Sequence, residues 1–228
     1  MKTIYLLKKL ERYPLFTEND VSKIIDKSPE YVKNLLYRLN KESHIKRIER
    51  GKYTSYDDVM IFASYMAAPS YLGLWTAFRH YNWTQQQPSS ISILSSVSKR
   101  NITFQNTDVI FLKTKHMFGY RKERYSDFDI LISDKEKTII DALLFHLPIE
   151  DIISALSDEE IDYEKLRDYA LKTKNISLIK RLGYLLKKEI GNAFGLKAMD
   201  NNYIKLDYLG KRIGKKDPDW KLIINMQT

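Results

Sequence analysis

The chain contains no cysteine among its 228 residues. That excludes disulfides, thiolate-bound zinc and a cysteine nucleophile, and it fits a reducing compartment. Glycine (8) and proline (6) are scarce, which favours regular structure with few long loops. A Gly-rich phosphate loop is also missing. No window approaches the about 18 consecutive apolar residues of a membrane-spanning helix. The N-terminal Met1-Lys-Thr-Ile-Tyr-Leu-Leu-Lys-Lys-Leu is broken by Lys8 and Lys9 and lacks the apolar core of a signal peptide. A cytoplasmic protein without membrane contact is therefore expected.

Hydrophobic residues at 43% and aromatics at 12% are enough for a packed core. The length allows one large or two modest domains. With 38 Lys and Arg against 29 Asp and Glu, the formal charge is +9. Such a balance favours polyanionic partners, with a merely solvated lysine surface as the plainer alternative.

Between Phe16 and Thr54 the order of signals is specific. Ile4, Leu7 and Leu10 recur at helical spacing over residues 2–12, and Pro14 ends that helix. Thr17-Glu-Asn-Asp20 reads as an N-cap with an acidic first turn, followed by the apolar face Val21, Ile24 and Ile25. Asp26-Lys27 makes a turn. Ser28 caps a third helix that opens on Pro29, where a missing N–H costs nothing, and runs to about Glu42. Val32, Leu35, Leu36 and Leu39 form its apolar side. Its opposite side carries Glu30, Asn34, Tyr37 and Lys41, flanked by Lys33 and Arg38.

A recognition helix needs this division, because one face must dock while cationic and amide side chains meet base edges in the major groove. Ile45–Ile48 then alternates as a strand, Glu49-Arg-Gly51 turns, and Lys52–Thr54 returns, a basic wing bearing Lys46, Arg47, Arg50 and Lys52. Residues 33–52 hold seven Lys or Arg and two Glu. Such an excess supplies salt-dependent affinity for phosphates. The expectation is a winged helix-turn-helix binding double-stranded DNA through Lys33, Asn34, Tyr37, Arg38, Lys41, Lys46, Arg47, Arg50 and Lys52. Winged helices also serve as protein-interaction modules, so an adaptor without a DNA role stays open.

Residues 57–68 read as a helix, broken by Pro69. Ser70 then caps a second helix to about Tyr81, with Tyr71, Leu74, Trp75 and Phe78 as its core face. Period-two patterning follows at 91–93, 102–104, 109–112 and 128–132. Ser133-Asp-Lys-Glu136 reads as a capping box for a helix over 135–146. Further helices are expected at 149–157, 161–174 and 176–190, and short strands at 203–206 and 220–224. The fold class is α+β, with an N-terminal winged helix-turn-helix over 1–56 and a larger mixed α/β domain over 57–228.

The succession Gly51-Lys-Tyr53, Ser70-Tyr-Leu-Gly-Leu-Trp-Thr-Ala-Phe-Arg-His80, the strand Gln86–Ile93 and Ile130-Leu-Ile-Ser-Asp-Lys-Glu-Lys-Thr-Ile-Ile-Asp141 resembles the AbiEi family of antitoxins, regulators from bacterial and archaeal phage-defence operons. The match runs from about residue 10 to 146, on short and degenerate motifs. The resemblance implies a DNA-binding autorepressor that binds repeats in its own promoter. It also implies a C-terminal domain that counteracts a nucleotidyltransferase toxin, directly or indirectly, in a type IV toxin–antitoxin system. Carried over, Lys33, Asn34, Tyr37, Arg38 and the wing cations would meet the DNA. The basic stretches at Lys180–Lys188 and at Lys211-Arg212 with Lys215-Lys216 are candidates for further DNA or partner contact, or plainly solvated faces.

Enzyme chemistry has a weaker basis. Asp127-Phe-Asp129 fits the acid–apolar–acid pattern with which nucleotidyltransferases hold Mg²⁺, since carboxylates at i and i+2 of a strand share a face. The upstream Gly-Ser phosphate turn is lacking, and an outward-facing strand with Phe128 buried is the plainer account. His44, His80, His116 and His146 show no metal spacing. Asp141, on an apolar helix face, reads as a buried, hydrogen-bonded structural carboxylate. The chain is thus expected to be no enzyme, with no catalytic, cofactor-binding or metal-binding residues and no cofactor.

Overall fold

A computed structural model describes residues 3–85 and 90–226. The start of the strand expected at Gln86–Ile93 lies outside the described residues. The protein is α+β and divides into two compact units.

The first unit comprises residues 1–72, 88–117 and 122–132, so the boundary expected after residue 56 falls inside it. It opens with α1 (Thr3–Leu10), β1 (Phe16–Thr17), α2 (Glu18–Ile25), α3 (Pro29–Lys41), β2 (Lys46–Glu49) and β3 (Lys52–Thr54). Local chemistry explains the boundaries. Thr17 and Asp20 close a reciprocal capping box on α2, which satisfies two of the helix's orphan donors. Asp26 ends α2 in the left-handed region at φ 52°, where the short Asp side chain is tolerated. The Ser28 hydroxyl accepts from the Tyr31 N–H at the start of α3.

The strands form an antiparallel sheet of order β1-β3-β2, with a bulge between Arg47 and Glu49. Leu6, Leu10, Phe16, Val21, Val32, Leu36, Leu39, Ile45 and Tyr53 make one core beneath helices and sheet. Each such fully buried side chain contributes about 1.5–3 kcal/mol of transfer free energy.

The rest of this unit is organised on a six-stranded mixed sheet of order β6-β7-β5-β4-β9-β8. Its strands are β4 (Ser70–Leu72), β5 (Ser90–Ser95), β6 (Ile102–Phe104), β7 (Thr107–Lys113), β8 (Tyr120–Tyr125) and β9 (Phe128–Ser133). β5 and β7 run parallel from Ser90↔Asp108 to Ser95↔Lys113.

Two expectations are corrected here. Residues 57–68 do not form one helix: α4 (Val59–Phe62) is followed by a single 3₁₀ turn, Ala63–Tyr65. The expected 70–81 helix is split. Ser70–Leu72 is an inner strand, antiparallel to β5 and parallel to β9, and only α5 (Trp75–His80) is helical. Tyr71 and Leu72 are fully buried in the sheet. Their spacing to Trp75 and Phe78 mimicked one helical face, and a short apolar run leaves strand and helix indistinguishable. β8 was not expected, because four of its six residues are charged.

The second unit comprises residues 73–87, 118–121 and 133–228. Its hub is α6 (Lys135–Leu144), in which every residue from Glu136 to Leu143 is buried. Around it pack α7 (Ile149–Leu156), α8 (Tyr163–Thr173) and α9 (Ile176–Glu189). The cap of α6 is Asp134, whose carboxylate accepts from the Lys137 N–H at 2.8 Å, so the box expected from Ser133 and Glu136 is not formed. Ser133 instead hydrogen-bonds the Thr138 hydroxyl at 2.7 Å.

A last sheet, β10 (Ile204–Lys205), β12 (Leu222–Ile224) and β11 (Lys215–Asp217), completes this unit. Trp220 lies against α9 at Gly183, where a Cβ would fall 2.1 Å from the indole ring. Gly183 costs helix stability relative to alanine, and this close approach explains its presence.

Candidate nucleic-acid interface

The exposed side of α3 is divided by its neighbours. Lys33 and Tyr37 occupy the flank nearest the β2–β3 hairpin. Together with Asn40, Arg47, Arg50, Gly51, Tyr53 and Glu18 they line an open groove of about 300 Å³. Tyr37 is 69% exposed. Gly51, at φ 76°, supplies the left-handed residue of the β2–β3 turn. Asn34 and Lys41 are exposed along the middle of the same helix side. Arg38 lies on the far flank, where it lines a separate small recess with Thr3, Leu6, Ile25, Lys27, Tyr31 and Leu35. The two flanking cations of the expected set therefore part: Lys33 lies with Tyr37 beside the β2–β3 hairpin, and Arg38 lines the recess on the other flank.

The four cations of the β2–β3 hairpin also divide. Arg47 and Arg50 reach the groove. Lys46 pairs with Asp57 at 2.8 Å. Lys52 pairs with Glu49 at 3.0 Å and donates to the Met66 carbonyl at 2.9 Å. The groove thus gathers three cations against one carboxylate, Glu18. Two guanidiniums with five fixed donors each match phosphate oxygens in bidentate geometry. A phenol and an amide beside them can take sugar, phosphate or base edges.

Sequence reasoning did not anticipate Asn40, Tyr53 or Glu18. Asn40 carried a signal, since it lies three residues beyond Tyr37 on the same helix flank. Glu18 and Tyr53 are brought in by tertiary packing alone. Burial, with the Glu18 charge second, pushes the Tyr53 phenol above its usual range, so it stays a neutral hydrogen-bonding group.

Asp127 and Asp129 are both exposed, with Phe128 buried between them. Asp127 lies in the turn between β8 and β9, and Asp129 stands 3.7 Å from Arg124. Among the described residues, no group of three or more His, Asp or Glu side chains is arranged to hold a metal ion.

Several titratable groups of the second unit are paired with one another. Asp134 accepts from Tyr169 at 3.0 Å and Lys165 at 3.1 Å, and Glu136 accepts from Lys165 at 2.7 Å and the Asp162 N–H at 2.9 Å. The Tyr169 phenol is pushed up to about 12 by burial and the Asp134 charge. Asp141 is fully buried, as expected, and its partner is the equally buried ammonium of Lys137. Burial holds Lys137 below the ordinary lysine range. The Asp134, Glu136, Lys165 and Tyr169 contacts tie α6 to α8.

Lys180 and Arg181 are corrected from the expected outer face of α9. Lys180 is 1% exposed and bound to Asp200 and the Asn202 carbonyl. Arg181 packs on the Tyr208 ring at 4.5 Å and donates to the Lys205 carbonyl at 2.9 Å. Lys187 and Lys188 remain exposed, as do Lys211, Arg212, Lys215 and Lys216.

No helix among the described residues is long and apolar enough to cross a membrane. Compared with protein-family models and with curated proteins, the chain matches none.

Proposed function

We propose that residues 1–56 form a winged helix-turn-helix that binds double-stranded DNA, and that the protein is a cytoplasmic transcriptional autorepressor. The observation that carries this reading is the groove in which Lys33 and Tyr37 of α3 meet Arg47 and Arg50 of the wing. The element order supports it too: helix, strand, helix, helix and two strands, with the first strand paired to the last, suits a recognition helix backed by a wing. On this reading α3 enters the major groove with Asn34, Tyr37 and Lys41 towards the bases. Lys33, Arg47 and Arg50 hold flanking phosphates. The resemblance to AbiEi antitoxins extends the proposal: the repressor acts in a type IV toxin–antitoxin system whose toxin is a nucleotidyltransferase, and the DNA bound is the repeats of its own promoter.

A gel shift with the upstream DNA of its own gene tests the repressor role. Retarded complexes are expected for the intact protein, and their loss for Lys33→Ala combined with Arg47→Ala and Arg50→Ala. Equal retardation by that variant would refute the assignment. The antitoxin role is tested separately, by growth rescue when the protein is co-expressed with the product of a neighbouring nucleotidyltransferase gene.

A further inference from the structure

The wing carries one acidic residue, Glu49, between Arg47 and Arg50. A carboxylate there would repel the phosphates those arginines attract. It is met from two sides. Lys52 approaches it within the wing at 3.0 Å. Lys99, from the β5–β6 connection fifty residues away in sequence, donates to both of its oxygens, at 2.7 and 2.8 Å.

Both partners of the long-range pair are mostly shielded, with side chains 20% and 23% exposed. The Lys99 ammonium also lies over the Phe111 ring of β7, 5.4 Å from its centroid. Burial alone would raise the Glu49 pKa, but the Lys99 and Lys52 hydrogen bonds outweigh it and hold the carboxyl below its usual range, so Glu49 is charged at neutral pH. Further links join the wing to the same unit: Asp57 accepts from both Lys46 and Gln105, and Lys52 binds the Met66 carbonyl.

We propose that Lys99 is a positioning residue of the nucleic-acid interface: it masks the charge of Glu49, so that phosphates drawn to Arg47 and Arg50 meet no bare carboxylate. The inference rests on the DNA-binding reading and deepens it: the DNA-reading element is residues 1–56 together with the β5–β6 connection that carries Lys99. Lys99 binds Glu49, so its effect on the groove passes through that carboxylate.

The test uses the full chain and a labelled duplex of about 30 base pairs, roughly three helical turns, followed by fluorescence anisotropy. Lys99→Met is expected to weaken binding roughly fivefold at about 0.1 M salt, and to make the slope of log K against log salt shallower by about one. Glu49→Gln alone should bind at least as tightly as the wild type. The double variant Lys99→Met/Glu49→Gln should return to within about twofold of the wild type in affinity, since no charge is left to mask. Thermal melts confirm that each variant is folded. Wild-type affinity in Lys99→Met, or a double variant as weak as Lys99→Met, would overturn the masking role. Failure of the wild type to bind any duplex would instead overturn the DNA-binding reading itself.

Discussion

The side-chain oxygen of Asn40 accepts a hydrogen bond from the backbone N–H of Arg47 at 2.9 Å, tying the end of α3 to the first strand of the wing. The bond sets the spacing between Lys33 and Tyr37 on the helix and Arg47 on the wing. Asn40→Ala removes the acceptor. A stability loss of about 1 kcal/mol is expected, with a larger proportional fall in duplex affinity. Asn40→Asp retains an acceptor and should keep the stability. Paired denaturant unfolding and anisotropy check both.

Lys137 and Asp141 form an ion pair with neither side chain exposed. Removing one partner strands the other charge in the α6 core. Lys137→Met and Asp141→Leu should each destabilise by about 3–5 kcal/mol, whereas the double variant should lose much less. Urea unfolding of the three variants measures the difference.

Gly183→Ala places a methyl group where the Trp220 ring lies. Alanine is ordinarily the better helix residue, yet here a loss of about 1–3 kcal/mol is expected from overpacking. Trp220→Leu in the same background should recover part of it. Intrinsic tryptophan fluorescence of Gly183→Ala would report the displaced ring.

Stability should fall on the acid side. Burial alone would raise the Asp158 carboxyl, but hydrogen bonds from Lys135 and Trp83 hold it below its usual value, and Glu49 is held low by Lys99 and Lys52. Their folded pKa values lie below the unfolded ones of about 3.9 and 4.3. The stability they contribute is present above those values and is lost as the pH falls through the folded ones. Burial, then the Arg181 charge, lowers His146. It therefore resists a proton that the unfolded chain accepts near pH 6.5, and it contributes a shallower loss beginning there. The melting temperature should decline gently below about pH 6.5 and steeply below about pH 4. Asp158→Asn should flatten the steep limb.

Much of the head was legible in the chain. The caps Thr17 and Ser28, the apolar row Val32, Leu35, Leu36 and Leu39, and the turn at Gly51 are local signals, and the elements follow them. What local signals do not contain is the pairing of distant groups. Arg38 and Lys33 look equivalent on a helical wheel, and only the docking of α1 and the wing on opposite flanks of α3 separates them. Lys46 and Lys52 look like free wing cations until Asp57, Glu49 and Met66 are brought beside them. Tyr71 and Leu72 read as helix because three residues carry too little periodicity to reveal an inner strand. Lys180 reads as surface because a buried lysine is intelligible only beside Asp200, twenty residues on.

The central claim is that the groove between α3 and the wing holds the DNA backbone. Salt titration of duplex binding tests it most directly, comparing the wild type with the variant in which Lys33, Arg47 and Arg50 are all alanine. Each phosphate neutralised contributes about 0.9 to the slope of log K against log salt. The account predicts a slope shallower by about 2–3 in that variant, with affinity at about 0.1 M salt reduced at least a hundredfold. A variant with the wild-type slope and affinity would contradict it.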